Sequence, residues 1–191
     1  YIASNPIFGV PASINAFALG ARLTNPRAKI LLSWSCVSED PIGDLLRQGV
    51  DIISNRDIPT PDQPQGNWGL SQVGPAGDLI PLASPYWDWC NFYVRLVSTI
   101  LHGDWDALNY KDSGKAANYW WGMSSGVVGL HLTDNLPDGV RHLANILCHG
   151  IIDNTIYPFH RQIRSQDGTV RNDGNQWFSP EEVLHMDWLC D

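Results

Sequence analysis

Basic residues are scarce in this chain. Lysine and arginine number 12 against 20 aspartates and glutamates, leaving a net charge of −8 over 191 residues. Tight binding to nucleic acid or anionic lipid depends on clustered cations. No run of four Lys/Arg occurs, which argues against both partners. Charged residues of either sign make up only 17%, against roughly 25% in an average domain, so some surface is expected to face another surface. Long apolar runs are also missing, and none reaches the about 18 residues of a membrane-spanning helix. The sequence opens on no signal peptide. Its strand-like start, Tyr1-Ile2-Ala3-Ser4, and its close at Trp188-Leu189-Cys190-Asp191 both read as cuts in a longer protein, with any export signal upstream.

The catalytic signatures are missing as well. There is no G-x-G-x-x-G, Walker A, G-x-S-x-G or H-E-x-x-H. The four cysteines (Cys36, Cys90, Cys148, Cys190) show no C-x-x-C and no Cys/His ligand spacing, which argues against a zinc site. One or two disulfides and four buried thiols both stay open. Free thiols are favoured, because a chain of this size needs no staples. The six histidines are scattered; His142 and His149 lie seven apart on one predicted helix, too far for an i, i+4 chelate. Asp104 and Asp106 flank Trp105 as paired carboxylates would, but a solvated turn is the simpler reading. Ser124-Ser125-Gly126 is read as a turn rather than a phosphate cradle. No catalytic residue, metal or cofactor is expected.

Apolar residues are plentiful at 43%, and nine are tryptophans. Most of these tryptophans lie near glycine, proline or aspartate. A large flat ring with one N–H donor suits stacking on a planar ligand, or filling a crevice between layers.

Periodicity gives the organisation. Residues 1–4 read as a buried strand. A helix follows over about Pro11–Leu23, with Ile14, Phe17, Ala18 and Ala21 on one face. Lys29–Trp34 is an apolar run of strand length, expected to be covered on both faces. Asp40-Pro41 starts a short helix ending at Gly49, and Val50–Ser54 is a third strand. This β-α-β-α-β order predicts parallel strands with right-handed crossovers. Ligands of such sheets meet the loops at the strands' carboxyl ends, here Asn5–Gly9, Ser35–Asp40 and Asn55–Thr60. Residues 55–78 are irregular, with a short strand near Gly69–Gln72. A helix is expected over Tyr86–His102, with Trp89, Phe92, Tyr93, Leu96 and Ile100 on one stripe. Strands are expected at Tyr119–Met123 and Val127–Leu132. Another helix spans about Pro137–Ile151, turning Val140, Leu143, Ala144, Leu147 and Ile151 inward. Asp167-Gly168 marks a hairpin within Phe159–Val170. Ser179-Pro180-Glu181-Glu182 is a capping box.

Several segments, in order, resemble one family. Ile14–Pro26 (INAFALGARLTNP) matches an I-N-A-F-x-x-G-A-R-x-x-N-P helix. Ser84–Tyr93 (SPYWDWCNFY) resembles S-P-V-W-N-W-G-x-x-Y, and Met186–Trp188 matches a closing M-D-W. Tyr119–Leu130 and Gln166–Val170 are also similar. The chain thus resembles the basic membrane protein family, the purine-nucleoside-receptor-like solute-binding lipoproteins of bacterial ABC importers. The resemblance implies a type I periplasmic-binding-protein fold, in which two α/β lobes joined by three crossovers close on a ligand. It implies a mostly parallel, Rossmann-like sheet flanked by helices, with a C-terminal hairpin. Residues 1–80 would begin the second lobe, 81–117 would return to a first lobe, and 118–191 would complete the second. It further implies non-catalytic binding of a nucleoside, nucleobase or flavin-like solute, an ABC permease partner and an extracytoplasmic setting.

A flat heterocycle gains from aromatic faces and a few oriented polar groups. Phe8, Trp34, Trp87 and Trp89 are the aromatic candidates; Asn5, Asp57 and Asp88 are the polar ones. Each has a plainer reading: Trp34 and Trp89 as core, Asp88 as a helix cap. The chain departs from the family at Val37–Pro41, Arg56–Pro59 and Gly74–Asp78, three regions of expected ligand contact. The alternative to transport is a ligand-sensing or protein-interaction domain of a larger regulatory chain with the same fold. If the segment folds alone, the Tyr86–His102 helix needs a covering surface, either its own lobe or a second copy, so a homodimer is one further expectation.

Overall fold

The computed structural model describes residues 1–55, 68–103 and 120–191. The chain divides into two compact units: residues 1–84, 132–137 and 157–191 form the first, and 85–131 and 138–156 the second.

The first unit opens with β1 (Ile2–Ala3), α1 (Val10–Thr24), β2 (Ser33–Trp34), α2 (Pro41–Arg47) and β3 (Ile52–Asn55). β1 pairs in parallel with both β2 and β3, as the β-α-β-α-β pattern predicts. β3 then pairs antiparallel with β4 (Gly69–Val73), and β4 antiparallel with β5 (Leu79–Trp87), giving the order β2-β1-β3-β4-β5. The sheet is therefore mixed. Side chains alternate across it. Tyr1 and Ala3 pack with Ile14 of α1, whereas Ile2 packs with Leu45 of α2 and Ile53. One short strand thus seats a helix on each face, and burying each such aliphatic side chain contributes about 1.5–3 kcal/mol.

Local signals explain the elements. Asp40 caps α2, its carboxylate accepting from Gly43 N at 2.9 Å, with Pro41 behind it at the first helical position. The hairpin β7 (Gln162–Arg164) and β8 (Val170–Asp173) forms around Asp167-Gly168. Ser179 starts α5 (Pro180–Leu184) through a capping box with both halves present. Lys29–Trp34 corrects an expectation: only Ser33–Trp34 pairs, and Leu31 is exposed. This strand ends the sheet order and has only two residues of β1 to pair with.

The last residues lock onto α1. Asn15 is fully buried on that helix. Its Nδ2 donates to the Trp188 carbonyl at 2.9 Å, and its Oδ1 accepts from Cys190 N at 2.8 Å. Around it Ala12, Leu19, Phe159, Ile163 and Met186 form a core cluster.

The second unit contains the end of β5, α3 (Trp89–Leu101), a 3-10 turn at Met123–Ser125, β6 (Val128–Leu132, of which Leu132 falls in the first unit) and α4 (Asp138–Ile152). Three expectations are corrected here, and one is met: the α3 stripe has no cover. Tyr86 and Trp87 belong to a strand, not to the helix, because the Asp88 carboxylate accepts from Asn91 N at 2.9 Å and starts α3 one residue later. Trp120–Met123 form no strand; the chain enters the 3-10 turn instead. No residue of α3 is buried, so its apolar stripe lies open, Leu101 at 79% exposure. Nor does α4 bury any residue; Val140 and Leu143 are exposed rather than turned inward. Gly129 on β6 has a positional reason: an added Cβ would stand 2.3 Å from Tyr86 Cζ. The cysteines are all free, Cys36 and Cys90 exposed and the other two half-buried, so they are not a set of four buried thiols.

Two outcomes are expected. Asn15→Ala leaves the Trp188 carbonyl and the Cys190 amide unpaired, costing about 2 kcal/mol or more in chemical denaturation. Asp167 is held down to a pKa of about 2 by the Ser165 hydroxyl, then the Thr169 amide, with the Arg171 charge adding to them. Its folded value is depressed, so its stabilisation is present above the ordinary value of 3.8 and fades as pH falls toward about 2. An NMR carboxyl titration should show this, and Asp167→Asn should flatten the stability change over that window.

Candidate functional site

The carboxyl end of β1 leads through Ser4–Gly9 into α1. Ile7 N donates to Asn5 O at 2.8 Å, and Val10 N to Ile7 O at 3.0 Å. Gly9 occupies the N-cap with φ 77°, and its amide donates to Leu184 O at 3.0 Å. A side chain there would be strained by that φ and would also approach Leu184 Cδ1 at 3.3 Å. The tight turn presents Asn5 and Phe8 to solvent. Phe8 is 73% exposed, and its ring meets the His185 imidazole edge-on at 5.0 Å. His185 is anchored in turn, with Nδ1 2.8 Å from the Glu181 carbonyl. Sequence reasoning missed His185 as a rim residue. Its nearness to the Met186-Asp187-Trp188 segment was the only available signal.

Trp34 ends the neighbouring parallel strand. It is half-buried and packs on the Tyr1–Ala3–Ile14 cluster. Beyond it, Val37 is open to solvent, and the Ser38 hydroxyl donates to Asp44 at 2.5 Å. The first turn of α1 carries no acidic residue, so the positive end of that helix faces the same rim uncompensated. The rim therefore offers an aromatic ring, an amide side chain and a weakly positive helix end. A planar solute with acceptor atoms can stack on the ring and accept a hydrogen bond from the Asn5 side-chain amide.

The remaining candidates lie elsewhere. Trp87, Asp88 and Trp89 sit together in the second unit at the β5–α3 junction. Asp88 is the helix cap described above, in agreement with its plainer reading. Trp89 is 57% exposed, which overturns the core reading, and its ring lies 5.8 Å from Phe92 and 6.4 Å from Tyr93. Asp57 lies outside the described residues. Among the described residues, no group of three or more His, Cys, Asp or Glu could hold a metal ion.

Two curated relatives are similar to this chain. A purine-binding protein of Brucella abortus (strain 2308) is 31% identical over 182 residues, covering 88% of this chain and 49% of its own length. A putative ABC transporter glucose-binding protein of Haloferax volcanii is 33% identical over 140 residues, covering 66% of this chain and 34% of its own. No family model matches the chain. The chain is thus similar to named solute-binding proteins, as its resemblance to the basic membrane protein family implies, and it spans about half or less of the length of these curated relatives.

The exposures of Phe8 and Trp34 predict opposite responses to truncation. Phe8→Ala should change stability by less than about 0.5 kcal/mol, whereas Trp34→Ala should cost about 2 kcal/mol or more because it opens space against a core cluster. Urea denaturation of the two variants measures both.

Proposed function

We propose that this chain supplies most of one lobe of an extracytoplasmic solute-binding protein that delivers a nucleoside, nucleobase or similar planar heterocycle to an ABC permease. The observation that carries this reading is the open Phe8 ring, backed by His185, at the carboxyl end of a parallel strand. An exposed phenyl ring held by a tight glycine turn has little packing purpose of its own. Stacking on a heterocycle would cover it. One relative is named for purine, which supports the solute class; the other is named for glucose. Both relatives are named for binding rather than for catalysis. Among the described residues no helix is long and apolar enough to cross a membrane, which fits a receptor that meets its permease from outside the bilayer.

Trp89, Tyr93, Val97 and Leu101 lie open along α3, at helical spacing on one face. The relatives are about twice as long, so we read this face as the surface that packs against the rest of the protein. The departures at Val37–Pro41 and Gly74–Asp78 would then tune which solute is taken.

Calorimetric titration of the full-length protein with purine nucleosides, nucleobases and riboflavin tests the proposal. One of them should bind at micromolar or tighter, and Phe8→Ala should weaken it about tenfold, the scale of one lost aromatic stacking contact. No heat and no thermal shift with any of the three classes would refute it.

A further inference from the structure

Away from the rim, the first unit holds a concentration of positive charge that the solute cleft does not use. Arg22 near the end of α1 and Arg161 and Arg164 at the hairpin line one open pocket of about 190 Å³, with Cys190 and Asp191 on its far wall. Three of the chain's 12 basic residues converge there in a protein of net charge −8. Asp191 contributes the one side-chain carboxylate of the lining.

The guanidinium groups are under-used. Arg22 donates from Nη1 to the Asp191 backbone oxygen, but its Nε is buried with no hydrogen-bond partner. Arg164 donates from Nη1 to Gly168 O at 3.1 Å, within its own hairpin. Among the described residues, none of the three forms an ion pair with a carboxylate side chain; those pairs go to Arg47 and Arg171. The Cys190 thiol marks where two of the fields overlap. Burial pushes its pKa up on balance; the Arg22 and Arg161 charges pull it down, and the Asp191 charge pushes it up.

Size narrows the occupant. A pocket of about 190 Å³ holds about six waters at about 30 Å³ each. It falls short of the roughly 300 Å³ at which clefts for drug-sized ligands begin. A heterocycle does not fit inside, but a tetrahedral oxyanion does. Guanidinium forks match phosphate oxygens in pairs.

We propose that the Arg22–Arg161–Arg164 pocket binds a phosphate group, either as free inorganic phosphate or as the phosphate of a monoester whose remainder projects through the open mouth. The site is separate from the Phe8 rim and stands whether or not the rim binds a nucleoside. It gives the protein a second ligand, an anion, in a fold otherwise unsuited to anions by its net charge.

The test is calorimetry of the full-length protein with inorganic phosphate and, separately, with glycerol phosphate, at constant ionic strength with sodium chloride as the control titrant. Phosphate is expected to give a saturable heat that chloride does not. Arg161→Gln and Arg164→Gln, both at exposed positions that should tolerate exchange, are each expected to weaken it about tenfold or more, as loss of a charge-assisted pair should. Arg22→Lys keeps the charge but loses the guanidinium fork, and should weaken it as well. Tighter binding of glycerol phosphate than of phosphate assigns the monoester as the source; equal or weaker binding assigns the free ion. The proposal fails if phosphate and glycerol phosphate give no saturable heat at millimolar concentration. It also fails if Arg161→Gln and Arg164→Gln bind phosphate as the wild type does.

Discussion

Asn15 is the point on which the first unit turns. It sits fully buried in the middle of α1, where a polar side chain is expensive unless every hydrogen-bonding atom is used. Its amide group spans the backbone of the closing segment, donating to Trp188 and accepting from Cys190. Two contacts more than 170 residues apart in sequence are thereby fixed in register. Apolar packing of Met186, Leu19 and Phe159 supplies much of the attraction. Packing alone is tolerant of sliding, whereas the paired hydrogen bonds define one position.

Both features proposed to bind ligand follow from that position. Upstream of it, α5 ends where the Leu184 carbonyl receives the Gly9 amide and His185 backs the Phe8 ring. Downstream, the Asp191 carbonyl meets Arg22 and closes the wall of the arginine pocket. The segment from 184 to 191 therefore reaches both ends of α1, the rim at its start and the cation cluster near its finish. β1 does comparable work with two residues, since alternation sends Ile2 to the α2 side and Tyr1 and Ala3 to the α1 side. A small element can hold a site when each of its side chains is fully committed.

Much of this was legible from local chemistry. Asp40-Pro41, the Ser179 capping box and the Asp167-Gly168 turn each form as their residues predict. The three opening strands pair in parallel as their order implies. β5 was not legible, although it is the longest strand, because Pro81 and Pro85 break a run that would otherwise read as extended. The helix start was misplaced onto Tyr86 because the apolar stripe continues into the strand, and only the Asp88 cap separates the two. The inward face assigned to α4 was a real amphipathic stripe, and so was the stripe on α3. Periodicity tells which side is apolar, not whether anything covers it. Of the candidate rim, Phe8 and Asn5 could be placed by the rule for parallel strands. His185 could not, because its relation to Phe8 rests on a fold-wide contact with no local signal. Asn15 was hidden for the same reason: its partners lie at the far end of the chain.

Residue-resolved NMR of the full-length protein during titration with a purine nucleoside is the most direct measurement. Amide shift changes should concentrate in Asn5–Gly9 and at His185, with the Phe8 ring protons moving upfield as a heterocycle stacks on them. Shift changes confined to other segments, with the Phe8 ring unmoved at saturation, would contradict the assignment of this rim as the solute-binding surface.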